Sequence, residues 1–362
     1  MNLIKNRTPL ELIKTNTIIK AYAGSLAYGT NLPTSDIDFR GIFVADPINI
    51  RTPFYTINEA EVTSEEDTKL YELNQFMKLA LDCNPNIIEL LWTDESDIVF
   101  KTPAYDLLRA HASDLLSAKV AHTTTGYAMS QLSRIKGHNK WINNPMPEAA
   151  PRQEEFFALV TNFTSAKVFK WAQILSEIST GHSFASFGNE GESTLFGVYK
   201  TKLGAKLFDH TGAVIIDDTL DKGENKPLYI VKFNKAEYGV QREKWANYWD
   251  WKKNRNQARS ALEELHGFDT KHAMHLVRLL RMGKEALETG IIHVKRDDAQ
   301  ELLSIRNGAL KYEEILDYAN KMNDDIASLL KTTSLPTRPN QNLAANLILQ
   351  IQDITWNQHR DL

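Results

Sequence analysis

Gly24-Ser25-Leu26-Ala27-Tyr28-Gly29-Thr30-Asn31-Leu32-Pro33-Thr34-Ser35-Asp36-Ile37-Asp38 is the stretch on which the fold of this chain turns. The apolar run Ile18 to Ala23 before it reads as a buried strand, and a strand delivered to Gly24-Ser25 meets a residue that tolerates close backbone approach. Backbone N–H groups at a following helix start, with the Ser25 hydroxyl, can hold phosphate oxygens. The next apolar run, 36–44, reads as a second strand. Its period of two places Asp36 and Asp38 on one face and sends Ile37 and Phe39 to the core. Two adjacent carboxylates repel unless a cation lies between them, and oxygen donors suit Mg²⁺ or Mn²⁺. Either piece alone reads as an ordinary turn or a solvated strand edge. Both in order, at loop-length spacing between two strands, predict a metal-bound nucleoside triphosphate.

Outward from this stretch, residues 67–73 read as a third strand. From Leu73 the apolar spacing becomes helical, and Asn84-Pro85-Asn86 turns one helix into the next. An α+β domain is expected over residues 1–100, with a small mixed sheet. Residues 101–362 are expected to form a mainly helical domain. Within it, 104–180 reads as successive amphipathic helices, and short β-rich runs near 195–233 (Leu195 to Tyr199, Ala213 to Ile216, Leu228 to Phe233) predict a small antiparallel insertion. Helices resume near Glu243 and continue through 269–288, 297–306 and 312–331, followed by a Pro-rich stop at 335–339 and a final helix.

Gly-Ser-x-Ala-x-Gly, five residues, then Ser-Asp-x-Asp is similar to the signature of the DNA polymerase β-type nucleotidyltransferase superfamily. The blocks Asn84-Pro85-Asn86-Ile87-Ile88-Glu89-Leu90-Leu91-Trp92 and Lys271-His272-Ala273-Met274-His275-Leu276-Val277-Arg278-Leu279-Leu280-Arg281 resemble the bacterial and phage predicted nucleotidyltransferases of the RNA-ligase-associated type. The resemblance implies a polymerase β-like fold and transfer of a nucleoside monophosphate from a nucleoside triphosphate to a hydroxyl acceptor, with release of pyrophosphate. It implies that Gly24 and Ser25 hold the β,γ-phosphates. It also implies that Asp36 and Asp38 ligate two divalent metals, and that a third carboxylate on the neighbouring strand completes the site and acts as general base. Asp67 is the preferred third acid, with Glu72 and Glu66 as rivals; a solvent-facing position 67 would remove it. Tyr28, which the resemblance places among the nucleotide-binding residues, stands where minimal members carry Arg, so Arg40 becomes the substitute cation.

Lys271, His275, Arg278 and Arg281 fall close to one helical face, with Leu276, Leu279 and Leu280 on another. The first three are candidate nucleotide-binding residues; as an ordinary feature the stripe is a solvated face. Segment 242–259 interleaves Trp245, Tyr248, Trp249 and Trp251 with Arg242, Lys244, Lys252, Lys253, Arg255 and Arg259. That is a candidate RNA surface, although rings at helical spacing commonly serve as core.

The 362 residues carry 42 Lys+Arg against 46 Asp+Glu, a net charge of −4 that excludes a histone-like coat for nucleic acid. The single cysteine, Cys83, excludes an internal disulfide and a cysteine-based zinc site, and is expected to be an inert buried thiol. No apolar run approaches the ~18 residues of a membrane span, and the first residues lack the apolar core of a signal peptide. A cytoplasmic enzyme with no membrane partner is expected. Its leading acceptor is an RNA or tRNA end. Nucleotidylation of a protein or small molecule is the alternative reaction, and a non-catalytic nucleotide-sensing or RNA-binding module is the alternative class.

Overall fold

The apolar runs on either side of the Gly24 to Asp38 stretch pair as antiparallel strands, β1 (Thr17–Tyr22) and β2 (Asp38–Phe43). The computed structural model in which they do so describes residues 7–62, 67–162, 170–178, 180–187, 194–220, 223–255 and 257–358. With β3 (Glu59–Val62), β4 (Asp67–Glu72) and β5 (Ile98–Lys101) they form a five-stranded sheet in the order β3-β4-β2-β1-β5. Only β2 and β4 run parallel. This is the small mixed sheet expected from sequence, with two short edge strands added.

Alternation along β2 divides its side chains between two apolar layers. Ile42 joins Phe76 and Met77 of the helix Leu73–Leu81, whereas Phe43 packs with Leu12, Ala60 and Leu70. Gly41 sits where a Cβ would lie 2.2 Å from the carbonyl oxygen of Ile19, so only a bare backbone lets β1 close on β2. Ile37 departs from expectation. It is 47 % exposed, and Asp36 and Ile37 precede β2 in an irregular segment, so the period-two face begins only at Asp38.

Glu72 ends β4 and caps the helix Leu73–Leu81, accepting from the Asn74 N–H at 2.7 Å, while its Oε1 is buried without a partner. Burial pushes its carboxyl up to about 7 from an ordinary 4.5. Between those two values the unfolded chain is ionised and the folded one protonated, so stability falls as pH rises through that window and then levels off. A shift of this size corresponds to about 3 kcal/mol. Glu72→Gln keeps an acceptor for Asn74 and is expected to gain stability over the parent at pH 8 but not near pH 4.5. Urea unfolding at both pH values measures this, and a variant less stable at pH 8 would refute it.

The core of the sheet continues without a break into the helices Lys119–Asn143 and Thr270–Thr289, through Val120, Ala121, Leu276, Val277 and Leu280. That continuity moves the domain division. The chain forms one unit from Met1–Asn143 with Ala258–Leu362, and a second from Asn144–Gln257, instead of dividing at residue 100.

The second unit carries a four-stranded antiparallel sheet of β6 (Phe157–Asn162), β7 (His182–Ser186), β8 (Leu195–Lys200) and β9 (Tyr229–Phe233), ordered β6-β9-β8-β7. β6 lies in a stretch expected to be helical. It is a strand because Phe157 and Leu159 turn toward the core while Ala158 and Val160 are exposed, a period of two. Phe157 stacks on Phe184 and Phe233, with ring centroids 5.3 and 5.0 Å away, and this aromatic cluster holds the sheet. Ala213 to Ile216 makes only isolated bridges, Val214 with Phe208 and Ile216 with Phe184, instead of the strand expected there. Among the described residues no helix is long and apolar enough to cross a membrane.

Candidate active site

β1 leads into a turn held by the Ala23 N–H donating to the Asp38 carbonyl at 2.9 Å. Gly24 then takes φ +60, and a Cβ on it would lie 2.7 Å from Asp38 Oδ2. Glycine here serves two needs at once, the left-handed backbone and the contact with the carboxylate. Ser25 follows as the second residue of the short helix Gly24–Tyr28, half-buried. The loop after it is fixed by Thr30 N–H to the Ser25 carbonyl at 2.8 Å and by Leu32 N–H to Ser35 Oγ at 2.8 Å.

The parallel register sets Asp38 of β2 directly beside Asp67 of β4. Burial raises the Asp38 carboxyl above its ordinary range; Arg40 opposes this, and the charges of Asp67 and Asp36 add to it. Arg40 lies two residues along β2, with Nη2 3.8 Å from Asp67 Oδ2 and Nη1 donating to the Phe39 carbonyl at 2.8 Å. Asp67 is exposed, its side chain by 63 %, yet it contacts both Asp38 and Arg40. Position 67 is thus solvent-facing, the outcome set against Asp67 as the third acid, and only the register beside Asp38 and the contact with Arg40 keep it at the site.

The rival Glu72 pairs with Phe43 at the far end of the same strands, about 16 Å along at a rise of about 3.3 Å per residue. Glu66 lies outside the described residues. Asp36 is exposed in the segment before β2, and its charge reaches Asp38. The three acids are not drawn as tightly as His138, Glu263 and Asp269, whose donor atoms all lie within 4.8 Å of one another and which include none of them. Asp269 in that group caps the helix Thr270–Thr289, accepting from the His272 N–H at 3.0 Å.

Tyr28 does not point to a ligand-binding surface. It is 4 % exposed, and its hydroxyl donates to the Glu89 carboxylate, 2.8 and 3.0 Å from the two oxygens. The Arg278 guanidinium lies 3.7 Å from the Tyr28 ring centroid. The Gly-Ser block, the Asn-Pro-Asn block and the Lys271 to Arg281 block therefore meet in one buried cluster. Sequence reading missed Glu89. The available signal was a carboxylate within the apolar run Ile87-Ile88-Glu89-Leu90-Leu91, where burial demands a partner.

The basic stripe on Thr270–Thr289 is not a solvated face. Arg278 is buried, with Nε lacking a partner, and Arg281 is paired with Asp298 at 2.6 Å and Glu301 at 2.7 Å. Burial, reinforced by Arg278 and Lys271, lowers His275 to about 3, so it is neutral and adds no cation. Lys271 is half-buried.

A small mixed sheet that brings acids on adjacent parallel strands beside a Gly-Ser turn is an α+β arrangement of the polymerase β-like nucleotidyltransferase type. Residues 4–144 match the family model RlaP, described as RNA repair pathway DNA polymerase beta family. Over 92 residues the chain is also 36 % identical to a protein of Enterobacteria phage T4, an uncharacterized 38.9 kDa protein in the nrdC-mobD intergenic region. The aligned part covers 23 % of this chain and 27 % of the phage protein, so the chain spans about a quarter of that relative's length.

Proposed function

We propose that the chain transfers a nucleoside monophosphate from a nucleoside triphosphate to a hydroxyl at an RNA end, such as a tRNA or a broken strand, and releases pyrophosphate. The register that sets Asp38 beside Asp67, against Gly24, carries this reading. The donor set is all oxygen, and Asp38 is raised by burial and by its acidic neighbours, which fits a hard divalent cation such as Mg²⁺ or Mn²⁺ held by Asp36, Asp38 and Asp67. Such a cation, when bound, neutralises phosphate charge and makes the acceptor hydroxyl easier to deprotonate.

The remaining roles belong to the chain itself. The backbone at Gly24 and the Ser25 hydroxyl hold the terminal phosphates, and Arg40 adds positive charge in place of the residue that Tyr28 replaces. Arg278, with its unpartnered Nε, supports the triphosphate loop from below through Tyr28, and Lys271 offers a further cation. His275, held neutral by burial, adds no positive charge. Asp67 takes the proton from the acceptor hydroxyl. The freed oxygen bonds to the α-phosphorus, the bond from that phosphorus to the bridging oxygen breaks, and pyrophosphate departs with its electron pair. The RNA acceptor is supported by the description of the matching family.

Incubation with each α-labelled nucleoside triphosphate and Mg²⁺ or Mn²⁺, with total RNA, mixed protein or neither, tests the reading beside an Asp36→Ala/Asp38→Ala control. Label on RNA that the control lacks is the expected result. Label on protein would replace the acceptor, and nucleotide binding with no label on any acceptor would turn the reading toward a sensor.

A further inference from the structure

The helix Lys235–Lys253 buries only Tyr248. Trp245 and Trp249, one turn apart, remain half-exposed, so their helical spacing does not serve the core. Both indole N–H groups donate to a single acceptor, the Pro147 carbonyl, each at 3.0 Å. This shared bond fixes both rings and occupies their only polar atoms, leaving π faces as what they offer to a ligand. The rings meet as a corner, with centroids 6.3 Å apart and planes at 49°. The corner is one wall of a pocket of about 530 Å³ lined by Glu148, Trp245, Trp249, Lys252 and Lys253.

Lysines in a last helical turn commonly answer the helix dipole. Here they do more. The Lys252 ammonium lies 4.8 Å from the Trp249 ring centroid, and among the described residues neither Lys252 nor Lys253 is ion-paired. Two free ammonium groups against one carboxylate, Glu148, leave the pocket with a net positive charge.

We infer that the Trp245/Trp249 corner is a docking site for single-stranded RNA, one base stacking in the pocket and its flanking phosphates meeting Lys252 and Lys253. The inference rests on the reading of RNA as acceptor. Aromatic faces beside ammonium groups match a nucleotide, which has a flat ring joined to a charge, better than they match an aliphatic partner surface. Because the indole donors are occupied, recognition is by stacking and tolerates any base. Duplex RNA is excluded as the occupant, since its bases are stacked on one another and present no free face.

The test is fluorescence anisotropy of a labelled mixed-sequence single-stranded RNA 12-mer with the full chain, without nucleoside triphosphate, over a range of salt. Trp245→Ala/Trp249→Ala is expected to weaken binding by about tenfold or more, and Trp245→Phe/Trp249→Phe to recover much of the loss because it restores ring faces. Lys252→Ala/Lys253→Ala should reduce the salt slope by about 1.4, the loss of two phosphate contacts. In Asp36→Ala/Asp38→Ala, Trp245→Ala/Trp249→Ala should still weaken RNA binding by the same factor as in the parent. That separates this inference from the proposed reaction: normal docking with no transfer to RNA would remove the reaction and leave the site. Parent-like RNA binding by the Trp-to-Ala variant, equal affinity for the matching duplex, or no RNA binding by the parent would each overturn it. So would Trp-dependent capture of a protein acceptor in place of RNA. Melting curves of each variant confirm that a loss of binding is not a loss of fold.

Discussion

Asp38→Asn is expected to reduce nucleotidyl transfer by about 10³-fold or more and to leave the protein folded. Asn has nearly the shape of Asp, so the backbone bond from Ala23 to residue 38 and the register with β4 survive. What changes is charge. Asp38 lies between Asp67 and Gly24, and replacing it removes the central anionic donor of the three while Asp36 and Asp67 remain. The stability change has a definite sign. Burial and acidic neighbours raise the Asp38 carboxyl in the folded state, so ionising it there is harder than in the unfolded chain. That penalty is present at neutral pH and vanishes below the ordinary carboxylate range. Asp38→Asn should therefore melt at or above the parent at pH 7 and with it near pH 3. Added Mg²⁺ should raise the melting temperature of the parent more than that of the variant. Single-turnover transfer and thermal melting with and without Mg²⁺ measure both effects. Transfer within tenfold of the parent, or an unchanged Mg²⁺ response, would remove Asp38 from the metal-binding role.

The parts of this site readable from sequence were those encoded locally. The run Ile18 to Ala23, the Gly-Ser turn and the alternation from Asp38 onward each lie within a few residues, and β1, the turn and β2 followed from them. Asp36 and Ile37 were misplaced because an apolar residue between two acids has the pattern of a strand, whereas the strand begins one pleat later and leaves Ile37 in solvent. β3 keeps the alternation, with Glu59 and Glu61 exposed and Ala60 buried, but it is only four residues long on an edge, whereas β5, with Val99 and Phe100 exposed, lacks the inward alternation that marks a half-buried strand. β6 was masked by helical runs on either side.

The parallel pairing of β2 with β4 joins segments almost thirty residues apart, and no local pattern records it. The same is true of the return of residues beyond 258 to the first unit. Their helices complete a core that the sheet and Lys119–Asn143 leave open, a fact about surfaces and not about composition. The stripe on Thr270–Thr289 illustrates the limit. Spacing placed Arg278 on a polar face, but the apolar residues on both sides and the ring of Tyr28 draw it inside.

Arg278→Ala is expected to destabilise the first unit by about 3–5 kcal/mol, the range for removing one partner from a buried charged pair. Arg278 is 4 % exposed and covers the Tyr28 ring, and Tyr28 in turn donates to Glu89, itself 7 % exposed. Burial raises the Glu89 carboxyl, while the charge of Arg278 and the bond from Tyr28 pull it down. Without Arg278 one opposing influence is gone, and the folded-state carboxyl rises further above its unfolded value of about 4.5. A group raised in this way binds its proton more tightly in the folded chain, so stability falls as pH climbs from the unfolded value toward the folded one. The deficit of Arg278→Ala relative to the parent should accordingly be smaller at pH 5 than at pH 8. Glu89→Gln placed on top of Arg278→Ala removes the charge that was left alone, and should recover part of the loss at pH 8 and little at pH 5. The non-additivity of the two substitutions is then at least about 1 kcal/mol. Urea unfolding of the parent, both single variants and the double variant at the two pH values measures the cycle. A deficit that is the same at both pH values and untouched by Glu89→Gln would show that Arg278 contributes packing alone, and that the three sequence blocks meet without sharing charge.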